Sequence, residues 1–191
     1  MNKKTNRELM TIEYKISIIE TNQYQNTANY LEKWEQIALK KKETTTPKEK
    51  PLFEDAALTC QDIAKKLKEP SKKFFSAVYA SLDKEGIIQG IALIKIGNFY
   101  SKDPSKTKTY LNLCYLATNP ESLRAKGVGS SLMKHLIAQS SQAKLEGIYL
   151  ESGPTAKTFY QKKFAFKELK HPLNAQDGIK QDGPHPMLLK T

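Results

Sequence analysis

Thr118-Asn119-Pro120-Glu121-Ser122-Leu123-Arg124-Ala125-Lys126-Gly127-Val128-Gly129-Ser130-Ser131-Leu132-Met133 is the stretch whose reading decides the fold. Tyr110 to Thr118, leading into it, is rich in residues that favour a strand, and Asn119-Pro120 ends that strand. On the far side, Val128, Leu132, Leu136 and Ile137 recur at helical spacing, which predicts a helix over about 128–145. At the junction stand two glycines one residue apart. They carry no Cβ, so a ligand can come close to the backbone. The first N–H groups of a helix lack internal partners, and its N-terminus is partly positive. Together these form a seat for a phosphate-like anion, and Arg124 and Lys126 add charge beside it. A glycine pair that only lets a helix start pack closely reads the same way at this point. A phosphate loop is excluded, since no Gly-Lys-Ser/Thr follows, and so is a dinucleotide fingerprint, because the third residue past Gly129 is Leu132.

Working outward, residues 11–19 alternate as a strand, with Ile12, Tyr14, Ile16 and Ile18 on one face. Two amphipathic helices follow, over about 26–42 around Leu31, Trp34 and Ala38, and about 53–68 around Ala57, Cys60, Ala64 and Leu67. Between them Lys40 to Pro51 is charged and punctuated by Thr and Pro, and reads as a flexible loop. Phe74–Leu82 and Ile87–Ile96 form a hairpin over the turn Asp83-Lys84-Glu85-Gly86, with Gly90 marking a bulge or a close backbone approach. Past the 128–145 helix come a strand at Gly147–Glu151, a short helix at Thr155–Lys163, and closing strands at Phe164–Leu169 and Met187–Leu189. This order predicts one α+β domain over residues 1–191: a mixed sheet with helices on both faces, and one parallel strand pair where the 128–145 helix crosses over.

The totals agree with a globular domain: 191 residues, 39% hydrophobic and 27% charged. No apolar run nears the roughly 18 residues of a membrane span. No secretory pattern is read at the start, and a cytoplasmic site is the expectation. Cys60 and Cys114 sit in apolar patterns and read as buried free thiols; a zinc site is not expected, and no metal is called. The net charge of +11 gives a field that attracts anions: an acyl-CoA, a nucleic acid or an acidic partner.

Arg124-x-x-Gly127-x-Gly129 resembles the acyl-CoA signature of the GNAT (Gcn5-related N-acetyltransferase) superfamily. A second block, Ala156-x-x-Phe159-Tyr160-x-x-x-Phe164-x-Phe166, is similar to the family's later motif, and the hairpin from Lys84 to Leu93 is similar to its second and third strands. The resemblance spans roughly 74–170; the first 70 residues fit by order of elements. It implies a six- to seven-stranded, mostly antiparallel sheet, and transfer of an acetyl group from acetyl-CoA to a primary amine. It also implies that Arg124, Ala125, Lys126, Gly127, Val128, Gly129 and Ser130 hold the pyrophosphate. A bulge near Leu116–Thr118 would present a backbone N–H of Leu116 or Thr118 to the thioester carbonyl, and Tyr160 would protonate the departing thiolate. The sequence departs from the pattern at Ala165, where the family has Gly, at Ser152 or Gly153 in place of an Asn, and in one extra residue between Pro120 and Arg124.

The attacking amine must be neutral, so a base is needed. The strand at Tyr110–Thr118 offers no carboxylate, which leaves Glu151, at the end of the next strand, as the candidate. His135 reads as a packing residue, and His171 and His185 lack ligand spacing. The acceptor stays open between a small or protein amine and an amine on an aminoacyl-tRNA. A non-catalytic nucleic-acid or protein-binding module is the third reading, with no membrane partner and a monomer or homodimer as the assembly.

Overall fold

Asp83 turns the chain between two strands: its Oδ1 accepts from the N–H groups of Glu85 and Ile87, both at 2.9 Å, and Gly86 takes φ +80°. The hairpin so formed is part of a seven-stranded sheet. The structure is a computed structural model that describes residues 14–69, 74–99, 108–122, 127–170, 172–173 and 184–191. Among these, the strands are Lys15–Ile18 (β1), Ala77–Leu82 (β2), Ile88–Phe99 (β3), Lys108–Thr118 (β4), Ile148–Ser152 (β5), Lys167–Glu168 (β6) and His185–Leu189 (β7). The helices are Tyr24–Thr44 (α1), Lys50–Lys68 (α2), Val128–Gln142 (α3) and Pro154–Phe164 (α4). Strand order is β1-β2-β3-β4-β5-β7-β6. Every pairing is antiparallel except β4–β5, which α3 connects as a crossover. This is the α+β fold and the order of elements expected from the sequence.

Each sheet face has its own core. On one, α1 and α2 bury Leu31, Trp34, Cys60, Ile63 and Leu67 against Val78, Ala80, Ile91 and Leu93. On the other, α3 and α4 bury Leu132, Met133, Leu136 and Tyr160 against Ile94, Leu111, Ile148 and Leu150. Burial of this kind, at roughly 25 cal/mol per Å² of apolar surface, is the main favourable term. The ion pairs tying α1 to α2, Lys42–Glu54 and Lys68–Glu32, lie in solvent and add little. Cys60 is fully buried, which pushes its thiol up to about 12. None of the described helices is long and apolar enough to cross a membrane.

Two expectations change. The loop expected over Lys40–Pro51 is mostly helix, leaving only Thr45 to Glu49 between α1 and α2. Lys40 and Lys48 are solvated while Lys41 and Lys42 are half-buried, Pro51 falls in the first turn of α2 where no N–H partner is needed, and Thr45 and Thr46 both donate to Glu49 Oε2. In β1, Ile16 packs toward α3 and α4, but Ile18 is 55% exposed at the sheet's edge, and Ile19 enters the opposite core instead. Ile12 lies outside the described residues.

Gly90 in β3 is the close approach its isolation suggested. A Cβ there would sit 2.4 Å from Val128 Cγ1 and 3.0 Å from Leu132 Cδ1, so the first turn of α3 rests directly on strand backbone. Gly90→Ala is expected to destabilise the fold by about 1–3 kcal/mol by overpacking. A urea midpoint equal to wild type would show that α3 does not rest there.

Candidate active site

The β3–β4 register reads Leu93↔Tyr115 and then Ile94↔Leu113, so Cys114 is an extra residue in β4. The bulge therefore lies at Cys114, not at Leu116–Thr118 as expected. The parallel pairing of β4 with β5 covers only Leu111–Leu113 against Ile148–Leu150. Beyond the bulge the two strands part, while β5 stays paired to β7 through Ser152.

The bulge also resets the alternation. Leu111 and Leu113 face α3 and α4, Cys114 and Tyr115 both face α1 and α2, and Leu116 returns to the α3 side. In a strand, side-chain face and N–H direction alternate together. Leu111 N–H points toward β5, donating to Gly147 O at 3.0 Å. Leu116 and Thr118, on Leu111's face, therefore turn their N–H groups toward β5 as well, where that strand no longer pairs with them.

At the mouth of this parting α3 begins. Gly127 is its N-cap at φ +145°, a conformation that favours glycine, and among the described residues no side chain caps the first turn. Val128 is buried beneath it. A Cβ on Gly129 would lie 3.5 Å from Phe159 Cζ, 3.6 Å from Leu116 Cδ2 and 3.7 Å from Thr118 Cγ2. The structure thus brings Leu116, Thr118, Gly127, Val128, Gly129 and Ser130 to one place. Arg124, Ala125 and Lys126 lie outside the described residues. On the α1–α2 side, Lys41 Nζ donates to Pro120 O at 2.9 Å, and a cavity of about 580 Å³ is lined by Lys41, Thr44, Phe53 and Glu121 among others.

Tyr160, on α4, is buried with its ring edge-on to Phe159 and Phe166, and burial pushes its hydroxyl up to about 12. Glu151 is exposed on β5 and accepts from the Tyr149 hydroxyl at 2.8 Å, on the sheet face opposite Ile148 and Leu150. Tyr160 and Glu151 thus stand on opposite faces of β5. Ala165 ends α4 at φ +58°, the left-handed position that explains a family glycine there; alanine holds it at a cost of about 1 kcal/mol. His135 packs on Tyr79, with ring centroids 5.0 Å apart, and burial lowers its pKa.

Three neighbours of this site were missed in the sequence. Phe159 touches Gly129's position, Lys163 Nζ donates to Ser130 Oγ at 3.2 Å, and Asp55 of α2 accepts from Thr155 Oγ1 at the start of α4. The last two pairs are 33 and 100 residues apart, beyond any local pattern. Phe159 alone had a signal, as the first half of the Phe-Tyr pair.

An open α+β sheet with one parallel pair that parts at a bulge, and a glycine-started helix at its mouth, is the scaffold of the N-acyltransferases. The sequence profile of the acetyltransferase (GNAT) family matches residues 30–166, and the chain belongs to that family. No curated protein matches the sequence. Similar solved structures include a histone acetyltransferase HPA2-related acetyltransferase from Corynebacterium glutamicum, at 17% identity over 93% of this chain and 95% of that one, with a TM-score of 0.56. A predicted acetyltransferase with acetyl-CoA from Clostridium acetobutylicum is 12% identical over 89% and 96%, with a TM-score of 0.54. AtaT complexed with acetyl-methionyl-tRNAfMet is 15% identical over 93% and 95%, with a TM-score of 0.53. At such identities the likeness is one of fold.

The position of Tyr160 has a measurable consequence. Its folded-state pKa of about 12 lies above the ordinary 10.0. Above pH 10 the unfolded chain loses this proton while the native one keeps it, so stability is complete below pH 10 and falls toward pH 12. Urea midpoints measured across that range are expected to fall less steeply in Tyr160→Phe. An unchanged slope would place the hydroxyl in water.

Proposed function

We propose that the protein transfers an acetyl group from acetyl-CoA to a primary amine. The observation that carries this reading is the parting of β4 from β5 at Cys114, with the N–H groups of Leu116 and Thr118 turned into the gap and the uncapped first turn of α3 at its mouth. The residues fit the group. Glycine at 129 leaves the space between Leu116, Thr118 and Phe159 narrow but open, and the bare N–H groups of Val128, Gly129 and Ser130 suit a pyrophosphate. The family resemblance assigns Arg124, Ala125, Lys126 and Gly127 to the same seat. When bound, acetyl-CoA supplies the activated acyl group as a thioester.

Glu151 takes a proton from the acceptor's ammonium, directly or through water, and leaves a neutral nitrogen. As that nitrogen bonds to the carbonyl carbon, a backbone N–H of Leu116 or Thr118 stabilises the charge on the carbonyl oxygen. Tyr160 passes its hydroxyl proton to the sulfur as the carbon–sulfur bond breaks, and the proton that the newly bonded nitrogen sheds to become an amide returns through water to the tyrosinate; its raised pKa keeps the hydroxyl proton in place until it is needed. The cavity by Lys41, Phe53 and Glu121 admits the acceptor. A second reading, an amine carried on aminoacyl-tRNA, is compatible with the net charge of +11. AtaT, whose fold is similar, is complexed with acetyl-methionyl-tRNAfMet, which supports this reading.

Gly129→Ala tests the cofactor seat. Its Cβ meets only ordinary contacts and alanine favours helix, so stability is expected to stay within about 1 kcal/mol of wild type. The thermal shift given by saturating acetyl-CoA should shrink at the same time. A wild-type protein that shows no shift with acetyl-CoA would overturn the reading.

With an accepting amine in hand, Tyr160→Phe is expected to lower kcat by about 10²-fold or more, and Glu151→Gln to lower it as well. Unchanged kcat in either variant would remove that residue from the chemistry. Comparing small amines with aminoacyl-tRNA as acceptors decides between the two readings.

A further inference from the structure

Lys163 is in the last turn of α4, yet its ammonium reaches out of that helix to the first turn of α3, where Ser130 Oγ accepts from it at 3.2 Å. A lysine in the last turn of α4 suits that helix's negative end. At the start of α3 the same charge meets a positive end, an arrangement the helix dipole disfavours. Among the described residues no side chain caps α3, so the N–H groups of Val128, Gly129 and Ser130 face the same space as the ammonium. Phe159 links the two: its ring lies 5.9 Å from Lys163 Nζ and 3.5 Å from where Gly129 would carry a Cβ. Two positive groups thus converge on the place where the parted strands open, and an anion between them would satisfy both.

We infer that Lys163 is an anion-binding residue of the cofactor seat, holding a phosphate of the acyl-CoA against the first turn of α3. The inference rests on the acyl-CoA reading above and adds to it a cation from outside the glycine-loop motif. Lysine suits the role as a compact charge on a flexible stem that releases Ser130 and turns to the phosphate. Ser130, freed from it, keeps its backbone N–H for the same anion. The pyrophosphate and the 3′-phosphate share this chemistry, and the ligand series below separates them.

The test measures dissociation constants of acetyl-CoA, CoA and 3′-dephospho-CoA by calorimetry at low salt, for wild type, Lys163→Gln, Lys163→Arg and Lys162→Gln. Lys163 is exposed, so Lys163→Gln should melt near wild type. It is expected to bind CoA and acetyl-CoA roughly tenfold more weakly, the scale of one charge-assisted hydrogen bond at a surface site. Lys163→Arg should recover most of that loss. Lys162→Gln removes the same charge one residue away, and should change affinity less than about twofold. A loss that persists with dephospho-CoA assigns Lys163 to the pyrophosphate; a loss that disappears with it assigns Lys163 to the 3′-phosphate. Equal affinities of Lys163→Gln and wild type, or equal losses in both lysine variants, would overturn the inference. Wild type that binds none of the three ligands would instead overturn the acyl-CoA reading itself.

Discussion

One extra residue in one strand organises this molecule. Cys114 has no partner across β3, and the chain on either side of it is held by two different cores. Below the bulge, Leu111 and Leu113 are packed by α3 and α4; above it, Cys114, Tyr115 and Ala117 are packed by α1 and α2, with Leu116 on the other face. The half-step is therefore locked from both sides. Without it, Leu116 and Thr118 would swap faces and turn their N–H groups toward β3. Nothing in the alternation would then stop β4 from continuing its pairing with β5. The opening between the strands is thus a consequence of register, a discrete property, and side-chain substitutions around it do not close it gradually.

The helices are placed around this opening from opposite faces. α3 rests on β3 backbone at Gly90, which fixes where its uncapped first turn stands relative to Leu116 and Thr118. α2 belongs to the other face, yet Asp55 reaches round to Thr155 in the first turn of α4. A carboxylate at that end of α4 also suits the helix dipole. Because α4 carries Phe159, Tyr160 and Lys163, this bond couples the helix that borders the cavity near Phe53 to the helix that lines the glycine pair. The open end of the sheet is therefore bridged above the gap as well as bounded at its sides.

The fold was legible in the sequence because it depends on local periods. Helical spacing around Trp34 and Cys60, alternation in β2 and β3, and the turn at Asp83 each lie within a few residues. The resemblance at Arg124 to Gly129 and at Phe159-Tyr160 added the sheet's mostly antiparallel character. What was misread had no local signature. The Lys- and Thr-rich run from Lys40 to Thr44 carries no apolar stripe, yet tertiary packing of Leu31, Trp34 and Ala38 extends the helix through it. A bulge is a relation between two strands, so the composition of β4 does not show it at Cys114. Lys163 with Ser130, and Asp55 with Thr155, are pairs that exist only once α4 is laid beside α3 and α2.

Electrostatics acts here at two ranges. The net charge of +11 is spread over many solvent-exposed lysines, and beyond about 8–10 Å it is screened into a weak general attraction for anions. Such a field raises the encounter rate of any polyanion, whether acyl-CoA or nucleic acid, and does not choose between them. Choice belongs to short-range groups on the elements that border the gap. On the α1–α2 side these include the carboxylates of Glu151, held by Tyr149, and Asp55, held by Thr155. Toward α3 they are the bare first-turn N–H groups and Lys163. The total charge therefore sets how often anions arrive, and the groups that meet them are local.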